Sequence, residues 1–284
     1  MRAPKPSTNV SATKSTAGSS EKDKARLTGM LYAKEKYDEY FDKSSIADNA
    51  IAFPTFARSN LNLGKVLGKG GFGTVYEVRG VKTNSKTRSD ECQFIATHCL
   101  REDSGDARYA IKVLSPENLK DPVKFIQGIL DMAVETRILS DTEHPNIIKA
   151  RAVAVVDPFN DDYFIMMDRL YDTMESRIKK WDKKVKRLSG IGGKVFDRQG
   201  VRKKVVWHDR LVAAFDLSDA LGYLHRKNII YRDLKPENLG FDIVSKSAVR
   251  IQSTLLSSLE IFDSNSMLMA SIFFNFNSFQ SAMT

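Results

Sequence analysis

Cysteine is nearly absent from this chain. Two thiols in 284 residues cannot staple a fold of that size, which excludes a disulfide-built secreted scaffold. Long apolar runs are missing as well. No stretch reaches the roughly 18 apolar residues that a membrane-spanning helix needs, so no span and no membrane partner are expected. Glycine (16) and proline (8) are too few for a collagen-like chain. The 42% hydrophobic and 28% charged residues are the ordinary balance of a globular protein, not of a disordered or porin-like one. No internal repeat is visible, and the length suits one large domain or two modest ones. The first twenty residues are rich in Ser and Thr and carry Arg2, Lys5 and Lys14 without an acid. That pattern leaves an organellar transit segment open. Without an accompanying apolar face a solvated tail is the simpler reading, and a cytoplasmic or nuclear location is expected.

The charge is unevenly placed. Residues 174–206 hold twelve Lys or Arg against Glu175, Asp182 and Asp197, which accounts for the whole formal charge of +9. A nucleic-acid binder pairs such a patch with aromatics that stack on bases. Only Trp181 and Phe196 fall inside, and Gly190, Gly192 and Gly193 separate the basic clusters. The stretch reads as a flexible basic insertion, with a nucleic-acid partner unlikely and an acidic partner open.

Residues 1–60 read as a disordered or weakly structured tail, with 31–41 (LYAKEKYDEYF) as a possible short helix. Composed structure is expected from residue 61. Residues 61–68 (LNLGKVLG) and 74–78 (TVYEV) suit two strands joined by a glycine turn. A polar insertion, 82–108, holds Cys92, His98 and Cys99; without a C-x-x-C pair or a fourth ligand these read as ordinary loop or core residues and not as a zinc site. Strands are expected at 109–114 (YAIKVL), 147–156 and 163–167 (YFIMM), and a helix at 125–140. A further amphipathic helix is expected at 208–224, with Leu211, Ala214, Leu217, Leu221 and Leu224 on its apolar face.

Three sets of residues carry chemistry. Gly68, Gly70 and Gly73 form G-x-G-x-x-G, a weak signal alone. A strand follows where a dinucleotide fold would have a helix, which favours a hairpin lying over phosphates. Lys112 sits mid-strand between Ile111 and Val113. It is either a surface residue or a point charge for phosphate. Glu135 is either part of a polar helix face or the partner of Lys112. In 231–238 (YRDLKPEN), Asp233 could accept a proton from a hydroxyl, Lys235 could neutralise a phosphoryl group in flight, and Asn238 could offer Mg²⁺ a hard oxygen.

Together these segments resemble the eukaryotic-type protein kinases. The segments 67–78 (LGKGGFGTVYEV), 109–112 (YAIK), Glu135 before His144-Pro145-Asn146, and 231–238 occur in that family's order and spacing, over roughly 61–252. Lys235 followed by Pro236-Glu237 looks like the serine/threonine branch. The resemblance implies an α+β, two-lobed fold. Residues 61–170 would form a small lobe of antiparallel sheet plus one helix, and 171–252 an incomplete, mainly helical large lobe. ATP would lie between them. Leu67, Gly68, Gly70, Gly71, Phe72 and Gly73 would arch over it, and Val75 and Ala110 would cover the adenine. Lys112 and Glu135 would hold the phosphates, and Met167 would border the back of the pocket. Asp168 to Leu170 would offer backbone groups to adenine. Asp233 and Lys235 would be catalytic and Asn238 would bind Mg²⁺, the substrate being a Ser or Thr hydroxyl of a protein.

The chain also leaves the family's pattern. Tyr231 replaces a His that packs inward. Gly240 replaces the large apolar floor of the adenine pocket, which implies weaker nucleotide affinity unless Leu239 or Phe241 fills the space. Ser253 stands where the family carries the metal-binding Asp of Asp-Phe-Gly, and a hydroxyl is a poorer Mg²⁺ ligand than a carboxylate. Residues 253–284 form an atypical tail with ten Ser or Thr, five Phe and no Lys or Arg, and no activation segment or Ala-Pro-Glu follows. An uncovered 208–224 helix is expected to lower solubility or stability. Two readings stand beside each other: an ATP- and Mg²⁺-dependent protein serine/threonine kinase, and a non-catalytic nucleotide- or protein-binding module.

Overall fold

The computed structural model describes residues 17–42, 53–71, 73–82, 89–231, 234–242, 249–251 and 260–261. Its centre is a six-stranded sheet in the order β1-β5-β6-β4-β3-β2. The strands are β1 (Thr55–Phe56), β2 (Leu61–Lys69), β3 (Gly73–Val81), β4 (Tyr109–Leu114), β5 (Ala150–Ala154) and β6 (Phe164–Asp168). The expected strands are all present. All pairings are antiparallel except that of the edge strand β1 with β5, which is parallel. β4 and β6 are central and buried on both faces, which is why their sequences read as continuous apolar runs.

Within 61–170 the expected helix is joined by a short one in the insertion, and a third precedes the lobe. Helix α1 (Ala17–Asp42) revises the expectation of a weakly structured tail, and α2 (Asp90–Thr97) lies within the 82–108 insertion. Helix α3 (Pro122–Ser140) begins at Asp121, whose carboxylate accepts the N–H groups of Val123 and Lys124, with Pro122 in the first turn. α1 lies along α3. Gly29, Ala33, Tyr37 and Phe41, spaced by four, form one face of α1. At Gly29 a Cβ would come within 2.9 Å of Ile126, so only glycine permits this approach. Ala33 joins Phe125, Ile129, Ala133 and Phe159 in a second apolar cluster. Arg26 pairs with Asp161, and the Arg137 guanidinium lies 4.3 Å above the Phe41 ring. In the insertion, Cys92, Ile95 and Cys99 face the core. Burial pushes the Cys99 thiol up to about 11.

After the short strand β7 (Asp172–Thr173) the supposed flexible basic stretch is helical: α4 (Met174–Ser189), α5 (Ile191–Phe196) and the start of α6 (Val201–Arg226). Met174, Trp181 and Leu188 are buried, with Ile178 and Val185 packed beside them, so one stripe of α4 anchors it. Much of its charge is internally paired: Arg177 and Lys180 with Asp172, Lys179 with Glu175, Lys186 with Asp182. Gly200 enters α6 in the left-handed conformation (φ 69°), and Asp197 accepts the N–H groups of Arg202 and Lys203.

The buried face of α6 keeps Leu217 and Leu224 of the expected one, with Leu221 packed beside them, but is rotated away from Leu211. It is Val206, Arg210, Ala213, Leu217, Ala220 and Leu224, while Leu211 (64%) and Phe215 (72%) are exposed. Ala213 and Ala220 alternate there with Leu217 and Leu224. It docks through His144–Asp219, Lys227–Asp141 and Asp216, which accepts the Val249 N–H. Beyond it, β8 (Ile229–Ile230) pairs with β11 (Glu260–Ile261), and β9 (Leu239–Phe241) lies between β7 and β10 (Val249–Ile251). No helix among the described residues is long and apolar enough to cross a membrane.

Candidate functional site

The site is built where β2, β3 and β4 meet α3. β2 ends at Leu67, Gly68 and Lys69; Gly70 and Gly71 make the turn, whose Gly70 N–H donates to the Gly73 carbonyl at 2.8 Å. Phe72 lies outside the described residues. A Cβ at Gly68 or Gly71 would meet nothing described within 4 Å, so packing does not demand glycine there. Gly73 is different. A Cβ would come 3.1 Å from Lys112 Cε and 3.2 Å from the Val113 carbonyl, so glycine lets the start of β3 lie directly over the lysine stem. The turn is also held by Asn118, a buried side chain that donates to the Gly71 carbonyl at 3.0 Å, and by Thr74 against Ser115. Asn118 and Ser115 lie outside the glycine and lysine motifs, and sequence reading did not find them.

Lys112 faces Val75 across the β3–β4 pair, and Ala110 faces Glu77 on one side and Met167 on the other. Val75, Ala110 and Met167 are all buried. The Lys112 ammonium donates to the Glu135 carboxylate from α3; Lys112 is 6% and Glu135 0% exposed. The surface alternative for Lys112 and the polar-face alternative for Glu135 are thereby corrected. A charge pair this buried loses its hydration, and its mutual attraction repays that only with good geometry. A buried ammonium beneath a glycine turn is a cationic point that suits a polyphosphate.

From Met167 the chain crosses to the second sheet. Asp168 ends β6; its carboxylate takes a two-pronged contact from Arg151 (2.7 and 2.8 Å) and one from Arg250 at 3.3 Å. Its side chain is thus committed to strands β5 and β10. Hydrogen bonding to Asp168 is the first cause that holds the Arg151 guanidinium above its ordinary value. Arg169 is buried and pairs with the equally buried Glu77 at 3.1 Å, and its guanidinium lies 4.6 Å over the Tyr171 ring. The N–H groups of Asp168, Arg169 and Tyr171 donate to the carbonyls of Lys149, Arg108 and Phe241. Among the described residues no such backbone bond is made by the N–H of Leu170.

The loop after β8 is partly described. Tyr231 is buried in the core. Asp233 lies outside the described residues, as does Ser253. Lys235 is exposed, and Pro236–Asn238 forms a short 3-10 helix that buries Asn238. Leu239 and Phe241 are both buried but turned away from Gly240, so neither fills the space beside it; Leu170 does. Among the described residues no group of three or more His, Cys, Asp or Glu could hold a metal ion, and Asn238 offers one amide oxygen.

The model of the protein kinase domain family matches residues 95–252. That match takes in Lys112, Glu135 and 231–238 and leaves the glycine turn outside it, beyond the 82–108 insertion. The Aurora/IPL1-related protein kinase 2 of Caenorhabditis elegans is 30% identical over 186 residues, covering 65% of this chain and 44% of that protein. The serine/threonine-protein kinase sgk-1 of the same organism is 30% identical over 178 residues, 62% of this chain and 28% of its own length. The human ribosomal protein S6 kinase alpha-1 is 30% identical over 186 residues, 65% of this chain and 19% of its own. The chain therefore spans less than half the length of these curated relatives. Members of the family generally use ATP and Mg²⁺ and act on proteins. With the mixed sheet and helices of the small lobe and a family match over more than half its length, this chain belongs to the eukaryotic-type protein kinase family, in its serine/threonine branch.

Proposed function

We propose that this chain binds a nucleoside triphosphate, ATP with Mg²⁺, between its sheet and the β7–β9–β10 layer, and transfers the terminal phosphoryl group to a Ser or Thr hydroxyl of a protein. The observation that carries this reading is the buried Lys112–Glu135 pair lying under Gly73. Lys112 would neutralise the inner phosphates, and Glu135 fixes its ammonium so that little reorganisation remains at binding. The backbone of 68–73 would cradle the phosphates, with Leu67, Val75, Ala110 and Met167 around the base. Asp233 would accept the proton of the incoming hydroxyl, Lys235 would offset charge on the transferred group, and Asn238 would hold Mg²⁺ through its amide oxygen. The bound metal supplies charge neutralisation at the phosphates.

A second reading, nucleotide binding without turnover, is favoured by one feature, Ser253 at the position of the metal aspartate. Calorimetric ADP binding and phosphorylation of a generic acceptor such as myelin basic protein separate the two. Lys112→Met is expected to weaken ADP at least tenfold by removing the buried ammonium. Asp233→Asn is expected to leave ADP affinity within about twofold while phosphorylation falls by roughly 10²–10⁴. ADP binding with no phosphorylation in the unsubstituted chain selects the second reading. No binding, or binding indifferent to Lys112, overturns both.

A further inference from the structure

Gly240 has a structural reason that its backbone does not supply. It is not among the described glycines with positive φ, which are Gly105 and Gly200. Its reason is space. β9 alternates, so Leu239 (2% exposed) and Phe241 (1%) turn one way and position 240 turns the other. A Cβ at 240 would lie 2.5 Å from Leu170 Cδ1, 2.9 Å from Leu170 Cβ and 3.1 Å from its Cγ. Because Leu170 Cβ is among the clashing atoms, turning the leucine tip aside would not relieve the conflict. Leu170 therefore occupies the volume that a large side chain at 240 would fill.

Leu170 is also held in place from both sides. Arg169 N–H donates to Arg108 at 2.9 Å and Tyr171 N–H donates to Phe241 at 3.0 Å. The Tyr171 hydroxyl bonds the Ala107 carbonyl at 2.5 Å, and Arg169 is buried against Glu77. Between these anchors Leu170 is half-buried, packed against the core with its side chain over Gly240. Its N–H is the one in this run with no described backbone acceptor.

We infer that Leu170 is the specificity-determining floor of the base pocket. The connection after β6, and not strand β9, supplies the apolar surface beneath a flat heteroaromatic base. Gly240 is the complementary vacancy that lets Leu170 take this place. The inference rests on the nucleotide-binding reading above and reverses one expectation from sequence: glycine at 240 does not leave the pocket without a floor.

Two probes isolate the base contact, ADP and inorganic tripolyphosphate, titrated calorimetrically into the full chain. Leu170→Ala is expected to weaken ADP roughly tenfold, because one face of the base loses its apolar cover. It is expected to leave tripolyphosphate within about twofold, since that ligand has no base. Gly240→Leu alone is expected to weaken ADP by overpacking against Leu170. The pair Leu170→Ala/Gly240→Leu is expected to restore ADP to within about threefold of the unsubstituted chain, a non-additivity that neighbouring groups sharing one volume should give. The inference is overturned if Leu170→Ala leaves ADP unchanged, if it weakens both probes alike, or if the double substitution is no better than the worse single one. A chain that binds neither probe overturns the nucleotide reading and this inference together. A chain whose ADP binding is lost in Lys112→Met yet untouched in Leu170→Ala overturns this inference alone.

Discussion

Replacing Phe41 by Ala should release α1 from α3 and weaken the lobe that carries Lys112. Phe41 is 5% exposed, with ring centroids of Tyr37 at 4.8 Å and Tyr40 at 5.1 Å and the Arg137 guanidinium 4.3 Å above it. Truncating a buried Phe costs about 3–5 kcal/mol through lost transfer energy and the cavity left behind. Phe41 lies in the last turn of α1, where the chain can relax toward the gap, so the lower end, about 3 kcal/mol, is expected. Losing the cation–π contact adds about 0.5–1 kcal/mol. Apart from Phe41, the face that α1 buries rests on Gly29 and Ala33 with the half-buried Met30, Tyr37 and Tyr40. That is little apolar area, so α1 should open as a local unit and not only with the whole fold. Amide hydrogen exchange resolved by peptide is the assay. In the unsubstituted chain the amides of 30–42 should be protected. In Phe41→Ala they should exchange about 10²-fold faster, the factor that roughly 3 kcal/mol implies, while those of β4 and β6 change little. Arg137 stands one half-turn from Glu135 on α3, so ADP affinity should fall as well. Equal protection of 30–42 in both proteins would refute the packing argument; so would free exchange of that segment in the unsubstituted chain.

Two further outcomes follow from burial. Trp181→Ala on α4 should destabilise the chain by about 3–5 kcal/mol in urea unfolding, whereas Lys183→Gln should stay within about 0.5 kcal/mol, because the first side chain is buried and the second lies on the exposed basic face. Similar effects of the two would mean that the basic segment is not anchored. The Cys99 thiol, pushed up by burial to about 11 from an ordinary 9.0, should resist iodoacetamide at pH 8 until urea unfolds the chain. Since the folded form holds that proton more tightly, its contribution is complete below about pH 9 and is lost as pH rises toward 11. Unfolding midpoints that rose over that interval in the unsubstituted chain relative to Cys99→Ala would contradict it.

Sequence carried the sheet because its strands announce themselves in two ways. β4 and β6 are buried on both faces and appear as apolar runs, and the glycine turn separates two strand-like segments. Lys112 and Glu135 were legible as a possible pair because an isolated charge between Ile111 and Val113 demands a partner if it is inside. The helices were harder, for identifiable reasons. α1 packs by Gly29, Ala33, Tyr37 and Phe41, and two of those four have almost no side chain, so the stripe hardly registers as hydrophobic. In α4 the buried positions Met174, Ile178, Trp181, Val185 and Leu188 follow a regular alternation of four and three, but charge count overshadowed that period. In α6 the contact face alternates Ala213 and Ala220 with Leu217 and Leu224, and Leu211 and Phe215 point outward. A periodicity argument weighted by side-chain size finds Leu217, Leu221 and Leu224 on such a helix but misplaces Leu211 and passes over the buried alanines.

The run 168–171 shows how stability and recognition are divided among adjacent residues. The Asp168 carboxylate is taken by Arg151 and Arg250, and Arg250 also reaches Asp242 at 3.1 Å, so one ionic cluster joins β5, the end of β6, β9 and β10. Arg169 turns the other way, into Glu77 of β3. Tyr171 bonds the loop before β4 through its hydroxyl and β9 through its N–H. Removing either partner of the buried Arg169–Glu77 pair would strand a charge, a loss of several kcal/mol, whereas Leu170 makes no ionic contact and can be truncated with small effect on folding. Three of the four residues thus fix where the connection lies, and the fourth, Leu170, is half-buried over Gly240 with no polar side-chain bond to make. This division is what allows a substitution at Leu170 to change ligand affinity without first changing the scaffold, and it is why the tripolyphosphate control can separate the two effects.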